Sequence, residues 1–379
     1  MKTPKLFIPG PTHVTSEILE AMSKSQIGHR TPEISRIIEE ITEGVKDLLY
    51  TKNKVLLMSN PASAMWEMGT KNSVIKGLLH TVNGAFSKKW LDISNQYDFH
   101  TNFIEYSWGK AIKIDDIDKL LSTGKFDTFA MVHNETSTGV TSKIPSVINE
   151  IKSINHPAII MVDTISSLGS IDYYHDDWNV DVTVAGSQKG LMLPPGIAFN
   201  FISQNALDIS IKNDYKRSYW DWSEMVKTNL NGFFPYTPST NILFGLKEAL
   251  RLIEEEGLDN IFKRHERHAK ATRAAVNGWG IELLPMNDDE HSNSLTSLLF
   301  KENVNADNLR KIILDKFNTS LGTGLGKWAG KIIRIGHLGD FNDPMLLGTL
   351  SAVEMGLSLA EIEHKSGGIL EAMNYLEKN

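Results

Sequence analysis

The 379-residue chain contains no cysteine, which excludes disulfides, thiolate metal sites and any cysteine nucleophile. No apolar run approaches the roughly 18 residues that cross a bilayer. Met1-Lys2-Thr3-Pro4-Lys5 passes directly into Leu6-Phe7-Ile8-Pro9 without the hydrophobic core of a secretion signal, so the expectation is a cytoplasmic protein with no membrane partner. Positive charge is not in excess. The 39 Lys and Arg face 46 Asp and Glu, a net charge of -7, which argues against nucleic acid as a partner. Internal repeats and low-complexity segments are absent, which argues against solenoids and long linkers. Of the 12 histidines, none stands at metal-like spacing with acidic partners. His265 and His268, i and i+3 on one expected helix, lack a third ligand nearby, and no metal is expected.

What remains is the composition of an ordinary soluble globular protein, 41% hydrophobic and 22% charged, long enough for one large domain and a smaller one. Apolar runs at 55–58, 128–132, 158–162, 180–185 and 197–202 show no polar alternation and are separated by helical patterns. Such runs predict an α/β domain with a parallel or mixed sheet covered on both faces. Helices are predicted at 16–22 and 33–50, the second with Ile37, Ile38, Ile41, Val45 and Leu48 on one stripe and Thr31-Pro32-Glu33 at its start. A further helix over 241–256 should end at Gly257. Another over 259–276 carries Lys263, Arg264, His265, Glu266, Arg267 and His268, which read as a solvated face. After Gly278 shorter segments at 281–284, 294–300, 306–317, 332–335 and 343–359 suggest a separate α+β domain. The expected division is an arm at 1–15, a large domain at 16–257 and a small domain at 258–379.

Two of the apolar runs end on single charged residues. Ile159-Ile160-Met161-Val162 delivers Asp163, and Val182-Thr183-Val184-Ala185-Gly186-Ser187-Gln188 delivers Lys189, followed by Gly190 and Leu191-Met192-Leu193-Pro194-Pro195-Gly196. Two adjacent parallel strands would bring these ends together at the edge where open α/β sheets place ligands. A lysine between apolar runs is desolvated, which lowers its pKa towards a neutral nucleophile. Such a pair serves pyridoxal phosphate chemistry: the amine forms a Schiff base with the aldehyde, and the carboxylate keeps the pyridine nitrogen protonated. A strand-end aspartate capping the next turn through Thr164 and Ser166, and a structural lysine, are the plain alternatives.

Asp163-Thr164-Ile165-Ser166-Ser167-Leu168-Gly169, Gly186-Ser187-Gln188-Lys189-Gly190 and Pro194-Pro195-Gly196 resemble the class V aminotransferases, in particular the alanine:glyoxylate and serine:pyruvate branch. Pro9-Gly10-Pro11-Thr12, Gly28-His29-Arg30-Thr31-Pro32 and Arg334-Ile335-Gly336-His337-Leu338-Gly339 extend the resemblance, in order, over nearly the whole chain. It implies the pyridoxal phosphate transferase fold of type I, with a seven-stranded, mostly parallel sheet and a smaller C-terminal α+β domain.

It also implies roles. Lys189 and Asp163 are the catalytic pair. Ala62, Ser63 and Ala64 occupy the phosphate-binding turn, where Pro61-Ala62 departs from the family's glycine-rich stretch and Ser63 and the following amides are expected to do most of the holding. Phe86 matches the aromatic that stacks on the pyridine ring, Thr136 the residue near its hydroxyl, and Ile165 packs beneath it. Gln188 reaches the phosphate, as do Tyr236 and Thr237 from a neighbouring subunit, which implies a homodimer with shared sites. Arg334 and Gly10 are expected at the substrate carboxylate, a surface pairing of Arg334 with Asp340 being the alternative. Trp66 and His337 could narrow or polarise the pocket. The implied reaction is ping-pong transfer of an amino group from alanine or serine to glyoxylate or pyruvate. Aspartate or phosphoserine transamination, kynureninase-like lyase chemistry and a catalytically silent binding protein are the alternatives. Desulfuration through a catalytic cysteine is excluded by composition.

Overall fold

The computed structural model describes residues 4–113 and 117–379, so the first three residues of the expected arm lie outside it. Seven strands form the central sheet in the order Lys54–Met58, Ala198–Ile202, Val182–Gly186, Ile159–Asp163, Thr128–Val132, Gly77–Val82 and His100–Glu105. Only Ala198–Ile202 runs antiparallel to its neighbours. The five apolar runs became strands because both faces of the sheet are covered by helices and apolar alternation is unnecessary. Gly77–Val82 and His100–Glu105 escaped sequence reading. The first carries Gly77, His80 and Thr81 inside a buried strand, and the second is an edge strand whose side chains are mostly exposed.

Helix Pro32–Asp47 starts as expected, with the Thr31 side chain accepting from the Ile34 amide and proline in the first turn; Ile34, Ile38, Ile41 and Val45 are its buried stripe. It stops three residues before the expected end. Helix Thr240–Glu256 terminates at Gly257, whose φ of 82° suits glycine, and helix Leu258–Trp279 begins at once.

The charged run on this last helix is not the solvated face that was expected. His265 and His268 are buried, Arg264 donates to the Gly339 and Phe341 carbonyls, and Arg267 donates to Asp343 and the Leu376 carbonyl. Helices at Asp343–Leu359 and Gly368–Lys378 pack against it, so its polar residues tie the C-terminal part together.

The C-terminal sheet has five strands in the order Lys5–Phe7, Thr319–Thr323, Ile332–Gly336, Leu295–Leu299 and Glu282–Leu283. Its first strand comes from the chain's start, pairing Lys5 with Thr319 in parallel. That pairing anchors the following Ile8-Pro9-Gly10 segment, which runs on between the two sheets: Ile8 lies against Gly336, and Gly10 reaches Lys189.

Candidate active site

Strands Ile159–Asp163 and Val182–Gly186 are parallel neighbours, with Asp163 opposite Val184. Their C-terminal ends bring Asp163 and Lys189 to one cavity of about 290 Å³. Gly10, Ala62, Ser63, Phe86, Thr136, Ile165 and Gln188 also line it. Sequence reading therefore gathered most of the wall. Ala64, Arg334, Tyr236 and Thr237 are not on it.

Lys189 is only 7% exposed, and its amine donates to the Pro9 carbonyl. Gly10 lies so close that a Cβ there would stand 2.3 Å from Lys189 Cδ, and its φ of 102° is one that side chains avoid. Burial pushes the amine down to about 7, helped by the positive charge of Arg334 and opposed by Asp163. A share of this lysine is thus neutral, and able to act as a base, near pH 7.

Asp163 is buried too. Its Oδ2 accepts from Trp66 Nε1 at 2.7 Å and its Oδ1 from the Ile165 amide at 2.7 Å. Burial nevertheless pushes the carboxyl up to about 7, because desolvation outweighs those two donors. No ion pair among the described residues involves Asp163, so a cation placed beside it would return it to its ionised form. Trp66, expected only to shape the pocket, is therefore a direct partner of the acid. Helical spacing gives no sign of this, since the two residues lie 97 positions apart.

Two ten-residue helices point their N-termini towards the cavity, Ala64–Ser73 and Ala85–Ser94. At the first, Ser63 makes no side-chain cap bond. The Ala64 and Met65 amides turn inward to the Pro61 and Ala62 carbonyls, and no described group accepts from the Ala62 or Ser63 amides. The backbone donors free for an anion thus lie one or two residues earlier than the amides following Ser63 that sequence reading favoured. Gln188 Oε1 and both polar side-chain atoms of Asn60 are buried without partners. The second helix is closed by Glu135, a fully buried carboxylate that accepts from the Phe86 and Ser87 amides at 3.3 and 2.9 Å. This fixes Phe86 on the cavity wall. Glu135 was not singled out from sequence, and its partners lie 48 and 49 residues away.

Thr136 Oγ1 donates to Ser166 Oγ at 2.7 Å, and Ser166 Oγ donates in turn to the Asn134 carbonyl at 2.8 Å. Asn134 also lines the cavity. Arg334 stands behind Thr136: Nη1 donates to the Thr136 carbonyl at 2.7 Å and Nε to the Thr323 carbonyl at 2.8 Å, while Asp340 is not among its partners. Burial lowers its guanidinium to about 10. Tyr236 stacks on Tyr219 at 4.3 Å, is 44% exposed, and shares with Thr237 a small surface recess beside Ser59. His337 is buried and pairs with Thr296 Oγ1 at 3.0 Å, away from the cavity wall. His265 Nε2 accepts from the Gly339 amide and His268 Nε2 pairs with Asp343, so both rings are engaged in the protein's own packing.

A buried amine and a buried carboxylate at adjacent parallel strand ends, beside a helix N-terminus with free amides, define a pyridoxal phosphate site on an α/β sheet. Comparison with known proteins narrows the class. The aminotransferase class-V family model matches residues 6–326. The serine–glyoxylate aminotransferase of Methylorubrum extorquens is 36% identical over 99% of this chain and 96% of that protein. The L-aspartate–glyoxylate aminotransferase of Paracoccus denitrificans is 36% identical over 92% and 90%. Among solved structures, the ureidoglycine–glyoxylate aminotransferase of Bacillus subtilis superposes with a TM-score of 0.91 at 26% identity, over 100% of this chain and 99% of that one. The chain belongs to the class V aminotransferases. It is a pyridoxal phosphate-dependent transaminase of fold type I.

The residues present fit that cofactor. The raised Asp163 carboxyl lacks a cation and a protonated ring nitrogen is one; the free Ala62 and Ser63 amides and the unpartnered Asn60 Nδ2 are donors suited to a phosphate.

Proposed function

We infer that the chain transfers an amino group from a small amino acid, serine or alanine, to a 2-oxo acid, glyoxylate or pyruvate, in two half-reactions at one site. Pyridoxal phosphate supplies the aldehyde that carries the amino group and a ring that withdraws electrons. Asp163 keeps a proton on the ring nitrogen, and Trp66 and the Ile165 amide hold that carboxylate in place. Phe86, Ile165 and Thr136, all on the cavity wall, would hold the ring. The free Ala62 and Ser63 amides, with Gln188, would hold the phosphate, whereas the Ala64 amide is already taken by the Pro61 carbonyl. Arg334 and Gly10 receive the substrate carboxylate, the guanidinium exchanging a neutral carbonyl for a charged partner. Lys189 would take the proton from the substrate α-carbon and deliver it to the carbon of the former aldehyde in the first half-reaction, and carry out the same transfer in reverse in the second. The placing of buried Lys189 and buried Asp163 on one cavity, at the ends of neighbouring parallel strands, is the observation that carries this reading.

The same reading makes the protein a cytoplasmic homodimer. Tyr236 and Thr237, away from their own cavity, reach the phosphate of the partner subunit's site. It also divides the chain into an arm at 1–15, a cofactor-binding domain at 16–257 and a smaller domain at 258–379. Two separate sheets with their own hydrophobic clusters support that division.

Aspartate is the second donor to consider. Lys89 lines the cavity and pairs with no described acidic residue, so it could meet a second carboxylate, and the Paracoccus relative is named for aspartate. A donor panel of serine, alanine, aspartate and phosphoserine against glyoxylate, pyruvate and 2-oxoglutarate tests the choice. The highest kcat/KM is expected for serine or alanine with glyoxylate. A preference for aspartate that disappears in Lys89→Ala would favour the second reading. No turnover with any pair, together with no change in the cofactor absorbance on adding donors, would leave a silent binding protein.

A further inference from the structure

Glu135 takes no part in the proposed chemistry, yet no other carboxylate near the cavity is so fully engaged. Both its oxygens are saturated by donors from two segments. Oε1 accepts from the Phe86 amide at 3.3 Å, the Ser137 amide at 3.1 Å and the Ser137 hydroxyl at 2.6 Å. Oε2 accepts from the Ser87 amide and the Ser87 hydroxyl, both at 2.9 Å. The serines extend its reach: Ser137 Oγ accepts from the Ala85 amide at 2.8 Å, and Ser87 Oγ from the Asn83 and Gly84 amides at 3.1 Å. One anion thereby organises the opening turn of helix Ala85–Ser94, where four amides have no partner within the helix itself.

The next peptide belongs to the substrate side. The Thr136 carbonyl is where Arg334 Nη1 rests. Space around the carboxylate is tight: a Cβ on Gly84 would stand 2.2 Å from Glu135 Cγ, so the extended Gly84 backbone and the acid fit only together.

We propose that Glu135 is a positioning residue that holds the Phe86 ring in a rigid frame at the start of its helix. It touches neither cofactor nor substrate. Its charge belongs to the frame because five donors converge on it and only an anion with two acceptor oxygens satisfies them all. A glutamine keeps the shape, but its NH2 group confronts N–H donors and leaves at least one amide unpaired.

The inference rests on the reading of Phe86 as the ring platform, and a double-mutant cycle separates the two. Cofactor affinity of the apoprotein is measured by fluorescence titration, together with the visible circular dichroism of the bound cofactor, for Glu135→Gln, Phe86→Ala and the double variant. Thermal unfolding of each apoprotein reports folding. Glu135→Gln alone is expected to weaken cofactor binding by about tenfold, the scale of one hydrogen bond to a charged group, and to change the dichroism. In the Phe86→Ala background the same substitution should change affinity by less than about twofold, because the group it positions has gone. Equal factors in both backgrounds would overturn the proposal and leave Glu135 a plain helix cap. An unchanged affinity and dichroism in Phe86→Ala alone would instead remove the platform reading, and the proposal with it. Should Glu135→Gln fail to fold, Ser137→Ala, which removes the 2.6 Å bond, replaces it in the same cycle with the same opposed outcomes.

Discussion

Helices Ala64–Ser73 and Ala85–Ser94 have the same length, both open onto the cavity and both carry the partial positive charge of a helix start. They treat it in opposite ways. Glu135 fills the second from within the chain, and the start becomes a rigid support for Phe86. The first has no side-chain cap and keeps the Ala62 and Ser63 amides free. An internal anion gives stability and precision, whereas a withheld one reserves binding energy for a ligand that brings its own charge.

The sharpest way to break this contrast is to close the open start. Ser63→Asp puts a carboxylate at the proposed phosphate site, and like charges there should weaken cofactor binding by two orders of magnitude or so, by ~2–3 kcal/mol. The apoprotein should meanwhile gain about 0.5–1 kcal/mol from the new cap. Fluorescence titration and urea unfolding of the apoprotein measure the two opposite changes; a loss of both would show that this start is not the phosphate site.

The converse perturbation disturbs the filled start. Gly84→Ala drives a methyl into Glu135, with contacts of 2.2 and 2.3 Å to its Cγ and Cδ that the side chain can relieve only by leaving its cap. A destabilisation of about 1–3 kcal/mol is expected in the apoprotein, the reverse of the effect of Ser63→Asp. Equal stability to the parent protein would mean that Glu135 is not held as tightly as its bonds suggest.

A smaller effect is expected at the neighbouring acid. Trp66→Phe removes the indole donor from Asp163 while keeping an aromatic in place. The carboxylate then loses a stabilising bond, its pKa rises further, and the acid limb of the kcat/KM profile should move to higher pH. An unmoved limb in a folded, cofactor-loaded variant would detach Trp66 from the chemistry.

A further effect, read as a pH dependence, concerns Lys189 in the apoprotein. Its folded pKa of about 7 lies below that of an ordinary lysine, so between pH 7 and roughly 10 the unfolded chain binds the extra proton and this contribution to stability rises with pH. Lys189→Met should flatten that rise, read as the change in urea midpoint across the window. Asp163 has the opposite sign: with its carboxyl pushed up to about 7, its contribution falls as pH climbs from about 4 to 7.

Sequence reading succeeded where local pattern and tertiary role coincide. Ile159-Ile160-Met161-Val162 is apolar throughout and Thr183 is the one polar residue in Val182-Thr183-Val184-Ala185, because parallel strands covered on both faces need no polar side, and the charges that follow them stand out as candidate site residues. His100–Glu105 does not, since an edge strand with exposed side chains looks like loop. The charge-rich stretch around Arg264 misled for the related reason that composition cannot show which charges find buried carbonyls. Glu135 and the Trp66–Asp163 bond were illegible because their partners lie 48 to 97 residues away, and no periodicity within one element encodes such a distance.

By itself, the sequence determined the α/β alternation, the absence of thiol chemistry and the pairing of Asp163 with Lys189, all consequences of residue type and short-range order. Only the tertiary structure decided which helix start would be filled and which left free. That choice depends on where the chain returns to place a carboxylate, and a buried charge has its meaning set by neighbours that folding alone brings near.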